Sequence, residues 1–484
     1  MIRAILALTF CALPIAAQNW PQFRGPNASG VAEADRLPTH FGPDKNVVWK
    51  TEIPSGHSSP ILAGDRLFLT AADGGKASDA GREKIVDEGG RLYTICIDRK
   101  TGKILWQREA PRPRLERYQP TNSPASPSPV VDDKAVYVFF GDFGLISYTL
   151  DGKERWKVPL GPFNNANGHG TSPIIFENLV ILLCDQDTDS YLLAVNKDNG
   201  KVVWKADRSE FTRSYSTPVV YRPADGPPEL IVPGSYQLTS YNARTGEKLW
   251  WVTGLSWQPK SSPVIAGDLI IAHWWENGGE AEEPTQVATF EEMLARHDTD
   301  KDGRLTREEL AAEPGLQRGF LTIDLNANGY IEERDWNYYR ARRMVRNKMI
   351  AVRHGGRGDL TENNVVWSMQ KFLPNVPSPL LYEGVLYIVK DGGILTALDP
   401  KTGKIHKQGR LTGAVDTYYA SPVGAAGKVY FLSQQGKAVV LKAGKQWEIL
   451  AVHDMGEECF ATPAIADDRL YLRTRTALYC FEER

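Results

Sequence analysis

A chain of 484 residues, 42% hydrophobic and 24% charged, has the composition of a folded protein and excludes disordered, collagen-like and disulfide-dense classes. Its 57 Lys and Arg against 59 Asp and Glu leave no basic excess, so nucleic acid is not an expected partner. The 43 Gly, 31 Pro and 13 Trp favour many short strands joined by turns over long helices.

Residues 1–17 carry one basic residue, Arg3, then an apolar run ending in small residues. This pattern is a secretory signal peptide cut after Ala17, too short for a membrane span. Cys11 lies inside the run without the small residues that precede a lipoprotein cysteine, so a periplasmic or secreted protein without a lipid anchor or transmembrane segment is expected. Cys96, Cys184, Cys459 and Cys480 form neither a CxxC nor a CxxCH motif. Buried free thiols are expected, although three disulfide pairings remain open.

Eight Ser/Thr-Pro pairs follow, at Ser59, Ser128, Ser172, Thr217, Ser262, Ser378, Ser421 and Thr462. Five of the seven intervals lie between 41 and 45 residues, and the other two, of 69 and 116, are that unit with an insertion. Each pair opens a strand–turn–strand stretch, such as SPILAGDRLFLT, and a further hairpin such as ICIDRKTGKILW follows. Four strands per unit of this length predict an all-β, eight-bladed β-propeller over residues 18–484. The eighth unit stops after its third strand, and residues 46–49 (NVVW) form a lone strand near the start. Pairing the two would close the ring. Trp49, Trp106, Trp156, Trp204, Trp250, Trp367 and Trp447 recur on the fourth strands, with His406 at the seventh position of the series, and read as packing between blades.

The repeat DRKTGKILW at 98–106, with DPKTGK at 399–404, resembles the tryptophan-docking repeat of PQQ-type β-propellers, and the opening WPQFRGP at 20–26 is similar to the leader of exported members. That superfamily includes quinoprotein alcohol dehydrogenases and the propeller lipoprotein of outer-membrane protein assembly. The resemblance implies the fold, and PQQ as an alternative cofactor. The dehydrogenases carry an adjacent cysteine pair at the cofactor, however, and no two cysteines are neighbours here. PQQ thus has no specific residue supporting it, and no catalytic residue is transferred.

The 116-residue interval in blade five holds two calcium-loop patterns, which predict a small α-helical EF-hand pair over residues 286–345. The first offers carboxylates from Asp298, Asp300, Asp302 and Glu309, the Arg304 carbonyl at position 7 and Thr306 at position 9. The second offers Asp324, Asn326, Asn328, the Tyr330 carbonyl and Asp335. Its shorter Asp at position 12 and neutral Asn pair predict weaker binding. Leu305 and Ile331, both at position 8, are expected to pair across the loops.

Strand direction places this insertion, and residues 71–90 in blade one, on the face where the inner strands begin. His57, Asn122, His169, Arg213, Tyr215, Lys260, Asp416, Tyr418, Tyr419, Glu457 and Glu458 are the candidate residues around the axis there. None forms a nucleophile–base or acid–base pair at diagnostic spacing. The sequence therefore points to a monomeric, calcium-binding recognition or scaffolding module for a protein, peptide or glycan. A calcium- and PQQ-dependent dehydrogenase is the alternative.

Overall fold

Each Ser/Thr-Pro pair opens an inner strand of two or three residues, because proline ends the preceding loop and the apolar residues after it meet the neighbouring blade. The computed structural model describes residues 18–74, 76–79, 85–165, 167–277, 279–280 and 285–483. The expected signal peptide and Cys11 lie outside them. Eight antiparallel sheets surround the axis. Blade one is Ile61–Ala63, Arg66–Asp73, Arg91–Asp98 and Ile104–Glu109, with the hairpin Lys76–Asp79 and Ile85–Glu88 between its second and third strands. Blade eight joins Ala464–Ala466, Arg469–Arg473 and Ala477–Glu482 to Val47–Glu52, with Trp49 opposite Cys480 and Thr51 opposite Leu478. The ring is therefore closed by the N-terminal strand, as the unmatched strands predicted.

Burial follows position in the blade. Second strands such as Ala135–Phe140 and Leu179–Cys184 are buried at every residue, since both faces meet other blades. The outermost strand Ile104–Glu109 buries only Trp106. Separate apolar clusters lie between successive blades. One unites Tyr137, Phe139 and Trp156 of blade two with Val180, Leu182 and Leu193 of blade three. Indole Nε1 groups then donate to the next blade's turn: Trp106 to Leu150 O at 2.9 Å, Trp156 to Lys197 O at 2.9 Å and Trp367 to Pro400 O at 3.0 Å.

Blade four departs from this pattern. Blade five has no TGK turn, and Gly358–Asp359 runs parallel to Trp250 and Trp251 as a fifth strand. Trp250 is fully buried, and its Nε1 donates instead to Glu229 Oε2 at 2.8 Å.

The insertion of blade five lies between Leu269–Trp274 and Lys348–Arg353 and holds three helices, α1 (Phe290–His297), α2 (Pro314–Ile323) and α3 (Glu333–Met344). Thr289 caps α1, accepting from Glu292 N at 3.2 Å while Glu292 Oε2 accepts from Thr289 N at 2.8 Å. Phe290, Met293, Leu305, Phe320, Ile331 and Trp336 belong to a small core distinct from those of the blades.

Candidate functional site at the channel mouth

A strand alternates its side chains, so the residue two before each repeated Ser or Thr faces the axis with it. His57, Ser126, Gly170 and Tyr215 occupy that place in the first four blades, and Lys260, Val376, Tyr419 and Phe460 in the last four. All eight line one cavity of about 440 Å³ on the axis. Below them the repeated hydroxyls link blade to blade. Ser59 N donates to Ser128 Oγ at 2.9 Å, Ser128 N to Ser172 Oγ at 2.9 Å and Ser172 N to Thr217 Oγ1 at 3.0 Å. Ser262 N donates to Ser378 Oγ, Ser378 N to Ser421 Oγ and Ser421 N to Thr462 Oγ1, at 2.9–3.0 Å. The Ser/Thr of the repeat is thus the circumferential tie of the channel.

The leader WPQFRGP crosses the far end. Trp20 pairs with Leu62, Pro21 O accepts from Val131 N at 2.9 Å, and Gly30 O accepts from Gly424 N at 2.9 Å. These partners lie within the inner strands of blades one, two and seven, and Phe23 of the strap also lines the cavity as its floor. Arg24 is fully buried in this strap, its Nη2 donating to Pro379 O at 2.6 Å, and burial without a carboxylate brings it down to about 9.

The mouth is asymmetric. His57 stacks on Phe460 with ring centres 4.0 Å apart, and Tyr419 lies 5.3 Å from Phe460. Burial, aided by Arg473 and Arg475, presses the His57 imidazole down to about 3. On the blade-five side Lys260 Nζ donates to Asn375 Oδ1 at 3.0 Å and lies 5.3 Å from the Trp275 ring centre. Burial brings Lys260 down to about 8, against the pull of Glu276.

Of the sequence candidates, His57, Asn122, Tyr215, Lys260 and Tyr419 line this cavity. The others face elsewhere. His169 and Tyr418, three before their Ser, point into the packing between strands: His169 lies edge-on to Phe139 and Phe163, and Tyr418 donates to Ala414 O at 2.6 Å. Arg213 is held on Asp187 at 2.5 and 2.6 Å. Asp416 accepts from Thr417 N and Gln435 N, and Glu457 from Thr476 Oγ1. Glu458 pairs with Arg475 at 2.7 Å beside an adjoining hollow that also takes in Asp73 and Gly74 of blade one. Phe23, Gln258, Trp275, Glu276, Asn375 and Phe460 were missed. Phe460 was recoverable from the two-residue offset, whereas Phe23 had no signal linking it to the axis.

The insertion clamps this rim. Arg342 of α3 donates to Glu276 Oε1 from Nε at 3.0 Å and Nη2 at 2.8 Å. Tyr338 donates to Glu210 O, Arg334 Nη2 to Asp187 O at 3.1 Å, and Asn164 Nδ2 to Leu325 O at 2.6 Å.

Its two loops share one hydrogen-bond frame. In the first, Gly303 N donates to Asp298 Oδ2 at 3.0 Å and Asp302 N to Asp300 Oδ1 at 3.1 Å. Glu309 accepts from Thr299 N and Thr306 N, both at 2.8 Å. In the second, Gly329 N donates to Asp324 Oδ2 at 2.9 Å, Asn328 N to Asn326 Oδ1 at 3.0 Å and Tyr330 N to Asn328 Oδ1 at 2.9 Å. Asp335 accepts from Leu325 N at 3.1 Å and Glu332 N at 3.0 Å, the same two loop positions that Glu309 serves. Leu305 and Ile331 exchange both backbone hydrogen bonds, at 3.0 and 2.8 Å. Ligand atoms of Asp298, Asp300 and Asp302 lie within 4.8 Å of one another. Burial opposes ionisation of Glu309, but the Thr306 and Thr299 hydrogen bonds bring it down to about 2, whereas burial raises Asp335.

A family model described as outer membrane protein assembly factor BamB matches residues 42–169, 188–289 and 341–484. A BamB of Francisella tularensis is 21% identical over 161 residues, which spans 31% of this chain and 32% of that relative's length, about a third of each. Among solved structures, BamB from Moraxella catarrhalis superposes with a TM-score of 0.51 at 12% identity, covering 90% of this chain and 98% of that one. Quinohemoprotein alcohol dehydrogenase from Comamonas testosteroni superposes at 0.59 with 11% identity, covering 96% and 80%. At these identities the structural likeness speaks for the fold alone. Among the described residues no helix is long and apolar enough to cross a membrane. With its eight closed blades and the model spanning most of its length, this chain belongs to the BamB-like family of PQQ-type propellers.

Proposed function

We propose that this chain is an exported, periplasmic or secreted, calcium-binding recognition module. Its EF-hand-like insertion takes calcium in both loops and stiffens the rim of the channel for a protein partner. The common frame of the two loops carries the reading. Each holds its position-12 carboxylate on the same two backbone amides, and Leu305 and Ile331 tie the pair together. Calcium prefers six to eight oxygens, and the clustered carboxylates of the first loop gain most from a divalent cation. Asp298, Asp300, Asp302, Glu309, the Arg304 carbonyl and Thr306 would hold the first ion. Asp324, Asn326, Asn328, Asp335 and the Tyr330 carbonyl would hold a weaker second.

Export is supported by the leader pattern of residues 1–17, and a protein partner by the assembly-factor description of the relatives. The contacts from α3 to Glu276 and Glu210 explain how loading the loops would reach the rim. Calorimetry of the purified chain with calcium chloride tests the reading. Saturable uptake that loses its tighter component in an Asp298→Ala/Glu309→Ala variant with an intact propeller supports it. Unchanged uptake in that variant overturns it.

A further inference from the structure

The axial cavity is open at one end, because the strap at residues 20–30 closes the other and Phe23 floors it. Its volume of about 440 Å³ lies in the range of small-molecule sites, roughly 300–1,000 Å³. Three properties of its wall restrict what it can hold.

First, polar groups are left over. Gln258 lines the cavity, is 8% exposed, and among the described residues its side-chain amide has no hydrogen-bond partner. Asn375 spends its Oδ1 on Lys260 and keeps Nδ2 free. The Oγ atoms of Ser128, Ser172, Ser378 and Ser421 each accept one backbone N–H, leaving each hydroxyl a proton to donate. Secondly, Gln258 is held with φ at 52°, a left-handed conformation that is strained for a non-glycine residue. Folding alone would favour glycine or asparagine there, yet this residue carries an unpaired amide into the cavity. Thirdly, formal charge is largely answered within the wall. Glu276 is held by Arg342 and is the countercharge acting on Lys260, which burial brings down to about 8, and His57 is neutral at physiological pH.

What remains is a set of neutral donors and acceptors set against aromatic faces. The His57–Phe460 stack and Tyr419 come from blades one, eight and seven, and Trp275 follows the second strand of blade five, which lies opposite blade one in a ring of eight. A pyranose ring has this chemistry, with C–H faces that rest on aromatic rings and hydroxyls that both donate and accept. We propose that the axial cavity binds a neutral saccharide of one or two units, its hydroxyls held by Gln258, Asn375 and the serine ring. The residues that would hold the sugar are not ligands of the calcium loops.

The test is a calorimetric and tryptophan-fluorescence titration of the full chain with glucose, maltose, cellobiose and chitobiose, with glucuronate as the charged control. Saturable one-to-one binding of at least one neutral sugar is expected. Gln258→Gly removes the amide and relieves the left-handed backbone, so affinity should fall by about tenfold or more, one lost hydrogen bond, while thermal stability holds or rises. Trp275→Leu is the second variant and should weaken binding by a similar factor. Three results would overturn the proposal: no saturation by any neutral sugar, saturation by glucuronate alone, or binding that survives both substitutions unchanged.

Discussion

The Trp49 indole lies on Gly102 so closely that a Cβ there would come within 2.7 Å of the ring. Gly102 also has φ at 75°, and the indole Nε1 donates to Arg99 O at 3.0 Å. The same packing recurs with Trp106 on Gly152, Trp156 on Gly200, Trp204 on Gly246 and Trp367 on Gly403. The glycine of the TGK turn is therefore both a left-handed turn residue and a seat for the neighbouring blade's tryptophan. Gly267 has a similar φ of 69° but open space around it. Gly267→Ala should cost about 1 kcal/mol for the backbone alone. Gly102→Ala should cost about 1–3 kcal/mol more, from overpacking against Trp49. Denaturation midpoints of the two variants separate the contributions, and equal losses would show that the docked ring yields freely.

The grip of Arg342 on Glu276 joins the insertion to the channel mouth, and Glu276 is only 7% exposed. Arg342→Met should destabilise the chain by about 1–3 kcal/mol, because it leaves a buried carboxylate without its cation. Adding Glu276→Gln should recover part of that loss. Hydrogen exchange across α3 should quicken in the single variant while the inner strands keep their protection.

His273 is 2% exposed, with Nδ1 3.1 Å from Ser261 Oγ. Burial first, then Lys260, brings its imidazole from 6.5 to about 3. Below pH 6.5 the unfolded chain takes up a proton that the folded chain refuses until about pH 3. Stability from this residue is therefore complete above 6.5 and is lost as the pH falls through that window, at up to about 1.4 kcal/mol per unit. Urea midpoints measured from pH 7 to 4 should fall more steeply in the wild type than in His273→Gln.

Cys96, Cys184, Cys459 and Cys480 are all buried and free, so none of the open disulfide pairings forms. Burial pushes the thiols at 96, 184 and 480 up to about 12 and raises Cys459 as well. Ellman's reagent should find these four unreactive in the native chain and fully reactive in urea. Fast native labelling of any one would mark a site of local opening.

The architecture was legible because it is written eight times. Each unit repeats the same Ser/Thr-Pro entry and apolar middle strands, most add the docking turn, and the unmatched strands at 47–52 and 477–482 imply one another. The site is harder to read because the axial positions are where the repeats differ. His57, Gly170, Lys260 and Phe460 share a register but no chemistry, so only the two-residue alternation identifies them as neighbours. Candidates one step off, such as His169 and Tyr418, project into the packing between strands. Gln258, Trp275 and Asn375 lie in connecting loops, where strand register gives no guide to direction. Blade four shows a further limit. Its tryptophan matches the pattern, but Glu229 and the added strand at Gly358–Asp359 replace the expected turn.

The pairing of Val47–Glu52 with Ala477–Glu482 places both halves of one sheet almost a full chain length apart. While the chain is being made, the first strand has no partner and the seven intervening blades must collapse around a gap. Such a contact forms late and slowly, since the loop it closes is nearly the whole polypeptide. Once made, it acts as a clasp: blade eight holds strands from both ends of the chain, and the edges left to the blades are their short outermost strands. On topology alone, closing and opening of the eighth blade are the expected slow steps of folding and unfolding, so the clasp would govern how long the ring persists.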